Sequence, residues 1–91
     1  MAKLAEFYGI IIRMRSELGE PHHWPHFHAR YADYEAVYAV IDGEIEKIAG
    51  SLPRRQHRRV MKWSKMNVAG IMNAWNRLQR REQPDPIDPL E

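Results

Sequence analysis

The sequence contains no cysteine, so neither a disulfide nor a thiolate metal site can stabilise its fold. It also lacks an apolar run long enough to cross a membrane or to serve as a signal peptide, since the isoleucine run at residues 10–12 ends at Arg13. A length of 91 residues and a hydrophobic fraction of 44% fit one folded domain. We therefore expect a cytoplasmic protein that makes no contact with a membrane.

Acidic residues are missing from one long stretch of the chain. From Lys47 to Arg81 there are ten Lys or Arg residues and no Asp or Glu, whereas the rest of the chain has four basic and twelve acidic residues. The net charge of +2 is thus the sum of +10 in this stretch and −8 elsewhere. Such a division indicates a basic surface that meets an anionic partner, or that meets acidic parts of the same chain.

The N-terminal half alternates apolar and polar residues in the pattern of an antiparallel sheet. We expect three to four strands, at residues 7–15, 26–31, 34–41 and 44–49. Ala32 and Asp33 predict a short turn between two of these strands. Asp42-Gly43 is the strongest hairpin signal in the chain, because a type I′ turn needs positive φ at both central residues.

After Pro53 the apolar period becomes that of a helix. Leu52, Val60 and Trp63 share one face, and past Asn67 the apolar face rotates by roughly a quarter turn. This change of phase predicts a break between residues 64 and 70, and hence a C-terminal pair of helices, or one kinked helix, packed on one face of the sheet. The predicted class is α+β, with a single domain at residues 1–83 and an extended, acidic Pro/Asp-rich tail at 84–91.

Four of the five histidines lie in a short stretch that also contains Pro21 and Pro25. His26 and His28 are predicted to point to the same side of a strand, roughly 6.6 Å apart along its axis. His22 and His23 could add ligands from a loop stiffened by the prolines, and an all-imidazole site suits Zn²⁺ or Cu²⁺. In the alternative interpretation the strand histidines bind no metal and only stabilise the hairpin.

The same strand residues also contain the groups needed for metal-independent, ribonuclease-like acid–base chemistry. His26 and His28 would transfer protons, Arg30 would hold a phosphate, and Glu35 would lie on the neighbouring strand. The spacing alone matches no established catalytic motif, and it leaves open whether these groups surround a cleft.

The first predicted helix has a cationic face. Its six cations fall on the side opposite to Val60 and Trp63, without any acidic residue at i+4 to neutralise them. The members of this cationic face are Arg54, Arg55, Arg58, Arg59, Lys62 and Lys65. Contact with the phosphates of RNA or DNA is one interpretation. An acidic protein partner, or the tail residues Asp85 and Asp88, is the other.

Several segments of the chain resemble a small bacterial family of unknown function. They are residues 7–10 (Phe-Tyr-Gly-Ile), 25–31 (Pro-His-Phe-His-Ala-Arg-Tyr), 52–55 (Leu-Pro-Arg-Arg) and 73–75 (Asn-Ala-Trp). The family has a Pro-Pro-His-Phe-His motif, in which the first proline is replaced here by Trp24. His22 and His23 are additions to the family pattern, so the resemblance implies no role for them.

The resemblance implies that the protein is a component of a toxin–antitoxin-like module with a small protein partner. Some members of such families are described as transcriptional regulators. We therefore expect action on nucleic acid through the cationic face. The alternatives from other classes are a metal-binding protein and an interaction module without catalysis.

Overall fold

The computed structural model describes residues 2–15 and 24–91 of the chain. Five strands, β1 (Ala2–Phe7), β2 (Ile10–Met14), β3 (His26–Tyr31), β4 (Tyr34–Ile41) and β5 (Glu44–Ser51), precede two helices, α1 (Arg54–Met66) and α2 (Val68–Gln79). The strands form one antiparallel sheet in the order β1-β2-β3-β4-β5. The predicted α+β class, with the sheet first and the helices second, is confirmed.

The start of the sheet differs from the prediction. Residues 7–15 do not form one strand, because Tyr8 and Gly9 form a tight turn with φ of 51° and 78°. The chain folds back there, so that Phe7 ends β1 and Ile10 begins β2 opposite it. The turn was not predicted from the sequence, because the alternation of apolar and polar residues continues without interruption through Tyr8. The sheet consequently has one strand more than the upper number predicted.

The remaining hairpins agree with the prediction. β3 and β4 have the predicted bounds, with Ala32 at φ 52° in the turn between them, and Asp42 and Gly43 turn at φ 53° and 80°. β5 begins where expected and runs to Ser51, two residues beyond the predicted end. The predicted proline loop falls largely on residues 16–23, which lie outside the described residues.

The helical segment breaks at Asn67, inside the predicted interval. The backbone of Asn67 leaves the helical region (φ −129°, ψ 25°), and its side-chain amide donates to the carbonyl oxygen of Trp63 at 2.7 Å. This bond caps the end of α1, and α2 starts at the next residue. In the described part of the chain, neither helix is long and apolar enough to cross a bilayer.

Helix α1 crosses the sheet from β4 and β5 towards β1. His57, near its start, stacks on Tyr38 of β4, whereas Trp63, two turns later, meets Phe27 of β3 and Phe7 of β1 at ring-centroid distances of 5.7 and 5.5 Å. Trp63 has no exposed surface and is the largest fully buried side chain in the core. The same aromatic cluster therefore fixes the position of the cationic face relative to the sheet.

The residues after α2 form neither helix nor strand, but they lie against the domain. The backbone N–H of Ile87 donates to the carbonyl oxygen of Leu4 in β1 (2.8 Å), and Trp63 Nε1–H donates to the carbonyl oxygen of Asp88 (2.8 Å). Leu4 lies at the point where the pairing of β1 with β2 shifts register. The tail thus satisfies one backbone carbonyl group of the edge strand β1, which an uncovered edge would leave to solvent.

Candidate functional site

A groove of about 380 Å³ lies on one side of the sheet, between side chains of β2, β3 and β4. Its walls are formed by Ile11, Arg13, His28, Arg30 and Glu35. The strand register explains why these five side chains meet. Arg13 pairs with His28 across β2 and β3, and Arg30 pairs with both Ile11 and Glu35. Two adjacent rows of the sheet therefore present two guanidinium groups, one imidazole and one carboxylate.

The groove contains three of the four residues predicted for acid–base chemistry. His28 is half-buried, whereas Arg30 and Glu35 are exposed and lie directly opposite each other. Arg30 Nε donates weakly to the carbonyl oxygen of Ala32 at 3.5 Å, which leaves its terminal nitrogens available. This cluster of side chains can bind an anion through its guanidinium groups and can exchange a proton with the bound anion through its imidazole.

Arg13 was not predicted as part of this site. Its position on the outward face of its strand followed from the alternation of residues 10–14, but only the register places it opposite His28. A single sequence carries no signal for register between strands that are separated by a long loop. The structure therefore adds a second arginine to the predicted set.

His26, the fourth candidate, is packed into the domain. It is 9% exposed, its ring lies 5.1 Å from the ring of Trp75 in α2, and its Nδ1–H donates to the carbonyl oxygen of Trp24 at 2.9 Å. The ring of His28 is on the same side of β3, with the two centroids 5.9 Å apart. His26 is thus held in the interior of the domain, while His28 lines the groove.

The predicted metal site consists of His22, His23, His26 and His28. The first two lie outside the described residues. Within residues 2–15 and 24–91, no three His, Cys, Asp or Glu side chains come close enough together to hold a metal ion. The proximity of the His26 and His28 rings fits the predicted pair, and the four-histidine site stays a prediction.

The cationic face forms on α1 as the helical periodicity predicted. Its exposed members are Arg54, Arg55, Arg58, Lys62 and Lys65. Arg59 is only half-exposed because its guanidinium lies over the ring of Tyr8, 3.9 Å from the centroid. This cation–π contact joins α1 to the β1–β2 turn.

The carboxylates of the tail meet other parts of the molecule. Asp85 approaches Arg77 of α2 at 3.7 Å, and Asp88 and Glu91 share a depression with Lys62. In the part of the chain that the structure describes, none of the six cations of α1 forms an ion pair with a carboxylate. The positive charge of the cationic face is therefore not neutralised by these parts of the chain.

A further polar pair, which sequence reasoning did not single out, lies between α1 and the sheet. The hydroxyl of buried Tyr38 is hydrogen-bonded to Nδ1 of His57 at 2.8 Å, and the two rings stack with centroids 5.7 Å apart. Burial raises the pKa of Tyr38 to about 12, and burial together with the nearby Lys47 cation lowers the pKa of His57. The two residues are far apart in sequence, so no local signal could have paired them.

The chain was compared with known proteins and with models of protein families. Neither the curated proteins nor the solved structures include a chain that matches this sequence. A family model does match over residues 9–76, a range that contains β2 to β5, α1 and most of α2. The model is described as a domain of unknown function (DUF4160), and the chain belongs to this family.

Proposed function

We propose that this protein binds the phosphate backbone of a nucleic acid through the cationic face of α1. The observation that carries the proposal is the run of six cations along this face. Among the described residues, no carboxylate forms an ion pair with any of them. Like charges at i and i+4 destabilise an isolated helix. A helix that keeps such a run exposed gains most when the cations neutralise phosphates and release their counterions.

The fold supports this use of α1. Trp63 anchors the helix in the core through Phe7 and Phe27, so the cations project from a rigid element. None of the first-turn residues of α1 is acidic, so the positive end of the helix dipole adds to the field of Arg54 and Arg55. The resulting surface is suited to backbone contact that does not depend on base sequence.

The biological context of this binding comes from the family resemblance. We infer that the protein works in the cytoplasm as a component of a toxin–antitoxin-like module, together with a small protein partner. In such a module the cationic face would meet the nucleic acid, and another surface of the protein would meet the partner. Co-purification with the product of the neighbouring gene tests the partner separately from nucleic-acid binding.

The binding experiment compares two charge-matched variants by fluorescence anisotropy of labelled RNA and DNA. Arg54→Ala/Arg58→Ala removes two unpaired cations from the cationic face. Lys3→Ala/Arg80→Ala removes two cations that are paired with Glu6 and Glu82 elsewhere. We expect the first variant to lose at least about tenfold in affinity and the second to bind nearly as the wild type, since exposed ion pairs contribute little. Equal losses in both variants would mean that net charge alone acts, and no binding by the wild type would overturn the proposal.

The groove supports a second candidate function, cleavage of a phosphodiester without a metal. The observation that favours it is the register that brings His28, Arg30 and Glu35 together with Arg13. The guanidinium groups would hold the phosphate. Of His28 and Glu35, one would take the proton of the attacking 2′-hydroxyl, whose oxygen bonds to phosphorus, and the other would give a proton to the 5′-oxygen as its bond to phosphorus breaks. Loss of RNA cleavage in His28→Ala, with retention in His57→Ala, is the expected result. Cleavage that persists in His28→Ala/Glu35→Gln would exclude this chemistry.

A further inference from the structure

Three tyrosines lie in a row at one end of the sheet, beside the start of α1. The β1–β2 turn, the β3–β4 turn and the end of β5 all lie at this end, because the strands are joined by consecutive antiparallel connections. Tyr31 pairs with Tyr34 across the β3–β4 hairpin, and its ring also lies against Gly9, next to Tyr8. The row runs from Tyr8 through Tyr31 to Tyr34, across about 10 Å of sheet.

Two of these rings have about half of their surface exposed. Tyr8 is 50% exposed and Tyr34 is 49% exposed. Tyr31 is half-buried between them and packs against the core. Neither exposed ring is needed to fill the interior, so burial does not explain why tyrosine stands at these positions.

Arg59 of the cationic face lies at one end of the row, and α1 begins near the other end. Arg59 covers one face of Tyr8, and its guanidinium holds that ring in place from α1. At the other end, Glu35 pairs with Ser51, so Tyr34 lies beside the point where β5 leads into Arg54 and α1. Side chains alternate between the two sides of a strand, so Tyr31 lies on the same side of β3 as Phe27, and Tyr34 lies opposite Tyr31 on that side. This is the side of the sheet that Trp63 of α1 covers.

We propose that this end of the molecule, the tyrosine row, binds a single-stranded nucleic acid by stacking unpaired bases on Tyr8 and Tyr34. The phosphates of the same strand would lie along Arg54, Arg55 and Arg58. Aromatic platforms beside a cationic track are how proteins bind single strands without sequence preference, because every base has a π-face. Asp33, at the tip of the β3–β4 turn, is at the same end and limits the positive field there.

The inference rests on the proposed function and deepens it, since a duplex keeps its bases stacked internally and has none to offer the tyrosines. The cationic face alone would hold duplex and single strand through phosphates. The tyrosine row predicts preference for the single strand. It also predicts that RNA and DNA single strands bind similarly, because stacking makes no use of the 2′-hydroxyl.

The test uses the full chain with oligouridylate, oligothymidylate and a duplex of equal length. Tyr8→Asn/Tyr34→Thr removes both rings with residues that suit the positive φ of a turn and the geometry of a strand, respectively. Tyr8→Phe/Tyr34→Phe keeps both rings and removes only the hydroxyl groups. Circular dichroism and tryptophan fluorescence verify that each variant is folded.

We expect Tyr8→Asn/Tyr34→Thr to weaken single-strand binding at least about fivefold for each stacked base, with duplex binding unchanged and the phenylalanine variant equal to wild type. Photocrosslinking to 5-iodouridine oligomers should label the peptides that contain Tyr8 and Tyr34. Unchanged single-strand binding in the ring-deleted variant, while Arg54→Ala/Arg58→Ala loses affinity, would overturn the tyrosine row and leave the proposed function standing. Absence of binding to all three oligomers would overturn both.

Discussion

Replacing Tyr38 with phenylalanine tests the junction between α1 and the sheet. Tyr38 has no exposed surface, its ring stacks on Phe27 with centroids 5.4 Å apart, and its hydroxyl is hydrogen-bonded to Nδ1 of His57. Phenylalanine keeps the ring and its packing. The substitution therefore removes one hydrogen bond and one titratable group, and little else.

Losing the hydrogen bond lowers the free energy of unfolding, whereas losing the titratable phenol raises it relative to wild type at high pH. Below pH 10 the phenol is protonated in both the folded and the unfolded state, and the lost hydrogen bond should cost about 1 kcal/mol in free energy of unfolding. Burial raises the pKa of Tyr38 from 10.0 to about 12 in the folded state, so the wild type loses stability as the pH rises from 10 towards 12. At pH 11 this loss should be about 1.4 kcal/mol, which cancels the advantage of the hydroxyl.

The assay is urea unfolding followed by tryptophan fluorescence for wild type and Tyr38→Phe, at about pH 8 and about pH 11. The wild type should be the more stable at the lower pH, and the difference should vanish or reverse at the higher one. Tyr34→Phe is the matched control, because this exposed hydroxyl should leave the stability difference from wild type near zero at both values. A wild-type advantage over Tyr38→Phe that stays constant between the two pH values would mean that folding does not raise the pKa of Tyr38.

Further changes test other parts of the fold. Gly50→Ala should destabilise the protein by at least about 2 kcal/mol in urea unfolding, since the added Cβ would lie 2.1 Å from the carbonyl oxygen of Glu35 at a φ of +67°. Gly43→Ala is the matched control, because Gly43 also has a positive φ (+80°) but nothing lies within 4 Å of the new Cβ. It should lower the free energy of unfolding by only about 1 kcal/mol. Equal losses in the two variants would exclude the clash with Glu35. Deleting residues 84–91 should lower the free energy of unfolding by about 2 kcal/mol or more, because two hydrogen bonds to backbone carbonyl groups and several apolar contacts are lost. An unchanged urea midpoint would contradict this expectation. Because burial lowers the pKa of His57 below its unfolded value of 6.5, wild-type stability should fall as the pH drops through 6.5, and His57→Gln should show a smaller fall.

Much of the fold followed from local patterns. The turn at Asp42-Gly43 and the break near Asn67 were predicted because each depends on a few adjacent residues, namely a dipeptide that accepts positive φ and a change of helical phase. The turn at Tyr8 was missed because tyrosine rarely adopts positive φ. The cation–π contact with Arg59 helps to hold it there, and that contact exists only once α1 has crossed the sheet.

The site was predictable only within single elements. The cationic face was found from one helical period, and His28 and Arg30 from one strand period. Arg13 in the groove, the His57 partner of Tyr38 and the row from Tyr8 to Tyr34 were not found, because each needs strand register or the path of a helix. These are long-range features, which a single sequence does not specify locally.

If the cationic face contacts phosphates directly, its affinity for nucleic acid depends on salt concentration in proportion to the number of contacts. The measurement is the slope of log affinity against log salt concentration for a single-stranded oligomer, between about 50 and 200 mM salt. For Arg54→Ala/Arg58→Ala the account predicts a slope shallower than wild type by about 1.4, since each lost phosphate contact removes about 0.7. The slope of Lys3→Ala/Arg80→Ala should equal that of the wild type. Identical slopes for wild type and Arg54→Ala/Arg58→Ala would contradict the account.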